Sequence, residues 1–145
     1  MPARLIEVSK SEHVFSAASR TATSALFNGS ATGAVGIDTK NYNEAVVQLN
    51  LGTVASGDSI AAALYENADN DALTATAVTD GGFSASTDAD DGTTKVGSIQ
   101  CKNYKRYLFV RALKTGSNGA AIYSVNATLA RPDSAPVTQS EDFDV

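Results

Sequence analysis

Residues 45–66, AVVQLNLGTVASGDSIAAALYE, decide the fold. Their apolar side chains recur at every second position, first in AVVQLNL and again in SIAAALY, and this period of two is typical of strands with one buried face. The glycine-containing segment between them predicts a turn, so we expect the two strands to form a hairpin. Val47, Leu49 and Leu51 form the apolar face of the first strand. In the second strand, one face carries Ile60, Ala62 and Leu64 and the other carries Ala61, Ala63 and Tyr65.

Further along the chain, the same alternation predicts strands at residues 73–78, 96–101, 106–113 and 120–130. The segment 106–113 is apolar on both faces, which indicates a central strand. The residues DGG at 80–82 predict a turn, and the polar stretch 84–94 predicts a surface loop. Short strands at regular spacing with glycine turns predict a single all-β domain, an antiparallel β-sandwich that is jelly-roll-like.

The 145 residues fit one domain, which we divide into three parts. Residues 41–131 are predicted to form the β-sandwich body. Residues 1–40 are predicted to hold an N-terminal arm and the first strand region; a short helix over 11–26 and an extended arm both fit their composition, and we favour the arm. Residues 132–145 form an acidic C-terminal tail, which we expect to be ordered only when another surface holds it.

Charge is segregated along the chain, which carries a net charge of −5 from 11 basic and 16 acidic residues. Residues 41–94 contain nine acidic side chains and no lysine or arginine, whereas residues 95–114 contain six basic side chains and no acid. Two interpretations stay open. Acidic and basic strands can lie side by side in one sheet, where each opposite pair contributes roughly 0.2–1 kcal/mol. Alternatively, they form separate patches that meet complementary patches on a neighbouring subunit.

The sequence contains few residues that could act as catalysts or metal ligands. One cysteine, Cys101, and one histidine, His13, exclude a disulfide framework and leave too few ligands for a zinc site. The aspartates around 69–71 and 88–91 lack the spacing of a calcium-binding loop and are interpreted as solvated loops. No paired acid and base or nucleophile motif is present, so we predict no enzyme, no metal and no cofactor.

Hydropathy and charge along the sequence bear on the cellular compartment and on nucleic-acid binding. No apolar run is long enough to cross a membrane, and the first residues lack a secretion signal, so we expect a product made in the cytoplasm. The basic block at 95–114 is small and balanced by acids elsewhere, which argues against nucleic acid as a partner.

Four segments carry a resemblance to a known family: AVVQLNL at 45–51, SGDSIAAALYE at 56–66, YKRYLFVR at 104–111 and NATLARPDSAPV at 126–137. Together they resemble the small β-rich capsid decoration, or cement, proteins of tailed bacteriophages. The resemblance covers residues 42–137, and its motifs are patterns of strand and turn, not catalytic signatures.

The resemblance implies a virion structural protein that binds the outer surface of the phage head and stabilises the lattice of the major capsid protein. It implies a homo-oligomer, dimer or trimer, with no nucleic acid or membrane partner, made in the host cytoplasm. Two alternatives are kept: a receptor- or carbohydrate-binding β-module of a phage fibre, and a head–tail or tail structural subunit. The expected partner contacts are Leu5, Ile6, Val14, Phe15, Lys105, Arg106, Arg111, Pro132, Pro136 and Phe143.

Overall fold

The computed structural model describes residues 9–21, 25–30 and 33–132. These ranges form strands and two single-turn 3-10 helices, at Asp88–Asp90 and Cys101–Asn103. None of their helices is long and apolar enough to span a membrane. The strands are β1 (Ser9–Arg20), β2 (Leu26–Phe27), β3 (Ile37–Asp38), β4 (Tyr42–Val54), β5 (Ser59–Asn67), β6 (Thr76–Gly82), β7 (Thr94–Gln100), β8 (Tyr107–Thr115) and β9 (Ala121–Pro132).

The strands form two antiparallel sheets that pack face to face. Sheet A has the order β1-β9-β4-β7, and sheet B has the order β2-β8-β5-β6, with β3 also paired to β8. Because β2 and β3 both pair with β8, they act as one interrupted edge strand. The eight resulting strands then have the order of a jelly roll, in which two Greek keys build two four-stranded sheets. The prediction of an all-β, jelly-roll-like sandwich is confirmed.

The predicted hairpin between the first two strands is wrong. Strand β4 pairs with β7 and β9 in sheet A, and β5 pairs with β6 and β8 in sheet B. The turn at 55–58 therefore carries the chain from one sheet to the other. An alternating pattern indicates that one face of a strand is buried. In a sandwich the strands of both sheets have one buried face, so the pattern does not show whether two successive strands pair in one sheet or lie in opposite sheets.

The core lies between the sheets and follows the predicted alternation. The apolar face of β4 is buried as predicted, the structure buries the face of β5 that carries Ile60, Ala62 and Leu64, and β8 is a central strand as expected. Alanines at inward positions compensate for the few aromatic side chains, because small residues let the sheets approach. The fully buried core side chains of β4, β5, β8 and β9 are Ala45, Val47, Leu49, Ile60, Leu108, Val110, Ala121, Val125 and Leu129.

Strand β1 is the main difference from the sequence-based division of the chain. Residues 9–20, expected within the arm region, form the edge strand of sheet A, paired with β9 from Ser9 opposite Ala130 to Arg20 opposite Ala121. Irregularities in this pairing between residues 13 and 18 interrupt the alternation, so the strand carries no clean period of two. The sandwich body therefore includes residues 9–20.

Two of the expected partner contacts lie in this strand and are core residues. Val14 is 6% exposed and Phe15 is 0% exposed, so neither side chain reaches a partner in the folded protein. The Phe15 ring lies 5.8 Å from the ring of Tyr123. The guanidinium of Arg20 covers both rings at 5.4 and 4.5 Å and donates a hydrogen bond to the Tyr123 carbonyl.

Other boundaries shift as well. Strand β6 begins at Thr76 and includes residues 80–82, which were expected to form a turn, whereas Leu73 is 80% exposed and precedes the strand. The loop at 84–94 is on the surface except at Ser86, which is fully buried and exchanges two backbone hydrogen bonds with Ile60. Cys101 lies in the turn after β7 and not within the strand.

The outer face of sheet B is covered by two loops. Phe109 points away from the main core, yet it is fully buried beneath Ala34 and Ala72. Gly36 lies directly on it, since a Cβ at this position would be 2.8 Å from the Phe109 ring. The Gly36 N–H donates to Asn70 Oδ1 at 2.6 Å, which joins the two loops.

The variant Phe15→Ala tests the placement of β1. We expect it to lower the free energy of unfolding by about 3–5 kcal/mol, because the change leaves a cavity in the core. The exposed neighbour His13 on the same strand gives the matched control, His13→Ala, which should stay within about 0.5 kcal/mol of the parent chain. Denaturant unfolding measures both; equal midpoints for the two variants would contradict the packing of Phe15.

Candidate interaction surface

The two ends of the sandwich differ in their chemistry. At one end, here called the crossover end, the turn at 55–58 passes from sheet A to sheet B and the turn at 116–120 passes back. Asp58 from the first turn meets Lys114 from the end of β8, with Oδ2 and Nζ 2.7 Å apart. Both side chains are almost fully buried. This ion pair ties the two sheet-crossing turns together.

The remaining polar atoms of this pair are also engaged. The backbone N–H groups of Asn118 and Gly119 donate to the Asp58 carboxylate, and Lys114 Nζ donates to the Gly116 carbonyl at 2.9 Å. The hydrogen bond from Lys114 holds the pKa of Asp58 below its ordinary value and outweighs burial, which acts in the opposite direction. A buried charged pair with satisfied partners is a structural feature.

The opposite end, here called the terminal end, is where β1 begins and β9 ends. Ser9 lies opposite Ala130, and Tyr42 at the start of β4 lies opposite Pro132. Residues 1–8 and 133–145 are therefore both attached to this end, on neighbouring strands of sheet A. The turn at 39–41 and the connection at 101–106 also pass between the sheets here.

A second acid–base pair ties these two connections. Arg106 donates from Nε to Asp38 Oδ1 at 2.9 Å and from Nη2 to Asp38 Oδ2 at 2.6 Å, the two-point geometry that suits arginine and carboxylate. Thr39 donates to the Arg106 carbonyl from both its N–H and its hydroxyl. The hydrogen bond from Arg106 lowers the pKa of Asp38, so the carboxyl stays ionised at neutral pH. The connections are thereby held in one arrangement.

Between these connections lies a cleft of about 380 Å³, here called the terminal cleft. Two tyrosines that pack partly against the core form its walls, and three cationic side chains line it. The lining residues that matter are Lys40, Asn41, Tyr42, Lys102, Tyr104 and Arg106. A preformed concavity with aromatic walls and positive charge is suited to an anionic ligand that carries an apolar group.

Cys101 also lines this cleft and is 5% exposed. Burial raises the pKa of its thiol to about 11. The thiol is therefore protonated at neutral pH, and Cys101 acts as a small apolar residue and not as a nucleophile.

The structure brings three of the expected contact residues together and separates a fourth. Lys105, Arg106 and Pro132 all lie at the terminal end, and the backbone N–H of Lys105 donates to Glu66 Oε2 at 2.8 Å. Arg111 lies in the middle of β8 instead, with its guanidinium 5.9 Å over the ring of Tyr65. Leu5, Ile6, Pro136 and Phe143 fall outside the described residues.

Sequence reasoning missed the terminal cleft as a site. Lys102 and Tyr104 stand in the basic block beside Lys105, but Lys40 and Tyr42 are about sixty positions away and belong to no motif. Only the pairing of β4 with β7 and β9 brings them together.

Pairs within the chain explain part of the charge segregation. Lys95, Arg106 and Lys114 of the basic block pair with Asp90, Asp38 and Asp58, respectively. These pairs bridge turns and strand ends, whereas the first interpretation of the sequence expected side-by-side strands in one sheet. Half of the basic block is thus used within the fold.

A second cleft, of about 300 Å³, opens between the edge strands β6 and β7. Its one lysine, Lys95, spans the gap, donating to the carbonyls of Ser84 and Ala85 and pairing with Asp90 at 3.5 Å. The charge of Lys95 is therefore already used to join the two edges.

Within the ranges that the structure describes, no three His, Cys, Asp or Glu side chains converge as metal ligands would. Two aspartates of the loop at 84–94 accept hydrogen bonds from backbone N–H groups. Asp90 accepts from the Thr87 N–H at 2.9 Å, and Asp91 accepts from the Val54 N–H at 2.8 Å.

No protein-family model matches the chain, and no curated protein matches it. Among solved structures, the coat protein of Tobacco streak virus is similar, with 12% sequence identity and a TM-score of 0.41 over 95% of this chain and 94% of that chain. The jelly-roll assignment made above rests on the strand order of the chain itself.

The variant Asp58→Asn tests the buried ion pair of Asp58 and Lys114. We expect it to lower the denaturant midpoint, because Lys114 loses its counter-charge in a buried position. Since the folded-state pKa of Asp58 is below the unfolded value of about 3.9, the pair stabilises the protein fully above that pH, and the stabilisation is lost progressively as the pH falls from there through the folded-state pKa. The variant should therefore show a smaller loss of stability than the parent chain when the pH drops from about 5 to 3.

The matched control for this test is Glu12→Gln, which breaks the exposed pair of Glu12 with Lys10. An exposed pair contributes little, so this variant should keep the parent midpoint and its pH dependence. Equal effects of the two substitutions would contradict the structural role of the Asp58 pair.

The reactivity of Cys101 tests its burial beneath the terminal cleft. At pH 8 we expect iodoacetamide to modify the native protein roughly a hundredfold more slowly than the urea-unfolded chain, because a thiol with pKa about 11 supplies far less thiolate than an unfolded one with pKa about 8.5. The chain has one cysteine, so mass spectrometry reports this site alone. Similar native and unfolded rates would show that the thiol is open to solvent.

Proposed function

We propose that this chain is a virion structural protein that binds the outer surface of a tailed-phage head and stabilises the lattice of the major capsid protein. The observation that carries the proposal is the attachment of both terminal segments to one end of a rigid jelly roll, beside a basic cleft. The family resemblance of residues 42–137 supports it independently.

The arrangement suits a protein that links neighbouring subunits. Fully extended, the eight residues before β1 reach about 26 Å and the thirteen after β9 reach about 43 Å. Two such segments leaving one end of a small rigid body can span a boundary between capsid subunits. Because one rigid body links the two segments, modest contacts made by both together are enough for stable decoration.

Fewer residues are proposed as capsid contacts than the sequence suggested, because Val14 and Phe15 are buried in the core and Arg111 lies in the middle of β8. Lys105, Arg106 and Pro132 lie at the terminal end, and the apolar residues expected to anchor the two segments are Leu5, Ile6, Pro136 and Phe143. The exposed lysines at this end, Lys40, Lys102 and Lys105, favour an acidic patch on the capsid exterior, since complementary charge sets register and association rate. Assembly as a dimer or trimer would place the protein at two-fold or three-fold positions of the shell.

A carbohydrate-binding role is the second candidate. Tyr42 and Tyr104 line one cleft, and jelly-roll domains also occur in lectins. Binding on a glycan array that is lost in a Tyr104→Ala variant would favour this role, and a flat array would count against it.

Co-sedimentation with empty heads of the virus that encodes the chain tests the primary proposal. We expect the purified protein to pellet with expanded heads and not with unexpanded ones, and to raise the temperature at which the decorated shells burst. A protein that ignores heads in both states would overturn the proposal.

A single-charge comparison tests whether the terminal end makes the contact. Lys105→Gln should weaken binding to expanded heads by roughly two- to fivefold and reduce its salt dependence, because it removes one exposed charge from the contact. Arg111→Gln removes the same charge from β8, far from this end, and should bind as the parent chain does. Equal losses for both variants would exclude the terminal end as the specific contact.

A further inference from the structure

We infer that the terminal cleft binds the chain's own acidic C-terminal segment, residues 141–145, within the same molecule. This contact concerns the free protein and does not depend on the proposed capsid role.

The cleft has the features that an acidic segment with one aromatic residue requires. Lys40 and Lys102 supply positive charge around its rim, Arg106 supplies N–H donors although its charge is paired with Asp38, and Tyr42 and Tyr104 supply apolar walls. The pair with Asp38 uses only Nε and Nη2 of Arg106, and a guanidinium has five N–H donors. The turns that carry these residues are fixed to each other by hydrogen bonds, so the cleft exists before the ligand arrives.

The C-terminal segment has the complementary composition. Residues 133–145, DSAPVTQSEDFDV, contain four carboxylate side chains and no lysine, arginine or histidine. Three of the four fall in the last five residues, where they surround Phe143. By contrast, residues 1–8, MPARLIEV, contain one arginine and one glutamate and no aromatic residue, so they do not match the cleft.

The exit of the chain places this segment within reach. Strand β9 ends at Pro132, opposite Tyr42, which is itself a wall of the cleft. Arg131 has a left-handed backbone with φ of 55°, and its carbonyl accepts a hydrogen bond from the side-chain amide of Asn43. The start of the tail is thus held beside the cleft.

Chain statistics then favour an intramolecular contact. Residue 141 lies nine positions after Pro132, and random-coil statistics give a nine-residue span an average length of about 15–18 Å. Short flexible linkers give effective concentrations in the millimolar range, well above the concentration of other copies in a dilute solution. The tail therefore meets its own cleft first.

Carbodiimide cross-linking of the full chain tests the inference. The reagent joins a lysine amine to a nearby carboxylate as an amide, and we expect products that link Lys40 or Lys102 to Glu141, Asp142 or Asp144. Their yield should exceed that of products to Lys105, at the same end but outside the cleft lining, by at least about fivefold. In 1 M NaCl, where the screening length is about 3 Å, the yield should fall to the level seen for Lys105.

An equal mixture of ¹⁴N- and ¹⁵N-labelled protein distinguishes the two possible occupants. Products of a single isotope show that the tail occupies its own cleft. Mixed-isotope products would overturn the intramolecular contact and assign the cleft to the tail of a second copy. Equal yields at Lys105 and in the cleft would overturn the cleft as the binding site.

A matched pair of tail variants tests the role of the aromatic residue. Phe143→Ser keeps all tail carboxylates and should shift the backbone amide signals of Asn41, Tyr42 and Tyr104 in NMR spectra. Val137→Ser removes an apolar side chain outside the acidic group and should leave those signals in place. Unchanged signals in both variants would show that Phe143 does not occupy the cleft.

Discussion

The buried pair of Asp58 and Lys114 is the contact on which the sandwich depends. Each of the two turns that it joins carries the chain from one sheet to the other, so the pair holds the sheets face to face at that end. Its charges are stable without solvent because Asn118, Gly119 and Gly116 supply further hydrogen bonds. A Cβ at Gly116 would lie 2.0 Å from Asp58 Oδ1, which explains why this turn requires glycine.

At the terminal end, too, an ion pair joins two sheet-crossing connections, but this pair is exposed to solvent. Asp38 and Arg106 also join two sheet-crossing connections, but both are about 40% exposed and water screens their charges. This end is therefore held by backbone hydrogen bonds from Thr39 as much as by charge. It keeps an accessible cleft and both chain exits, whereas the charged pair at the crossover end is buried and hydrogen-bonded. The terminal end is therefore the more suitable place for a binding site, since loops on a rigid scaffold commonly carry function.

Sequence periodicity predicted the strands that have one clean buried face. Val47 and Leu49 in β4, and Tyr123 and Val125 in β9, point inward as the alternation required. The same reasoning failed at β1, because register irregularities between residues 13 and 18 interrupt the alternation. Phe15 was consequently assigned to a surface arm although it lies in the core. Periodicity reports local geometry, and an irregular strand is recognised only through its partner.

The sequence by itself determined the fold class, the central position of β8 and the separation of acidic and basic segments. Those properties depend on neighbouring residues, since burial alternates along a strand and charges are read directly. Only the tertiary structure decided which strands share a sheet, which charges pair and which residues form the terminal cleft. Lys40 and Tyr104 meet because strands distant in sequence pair and turns cross between the sheets, and such long-range contacts have no local signature.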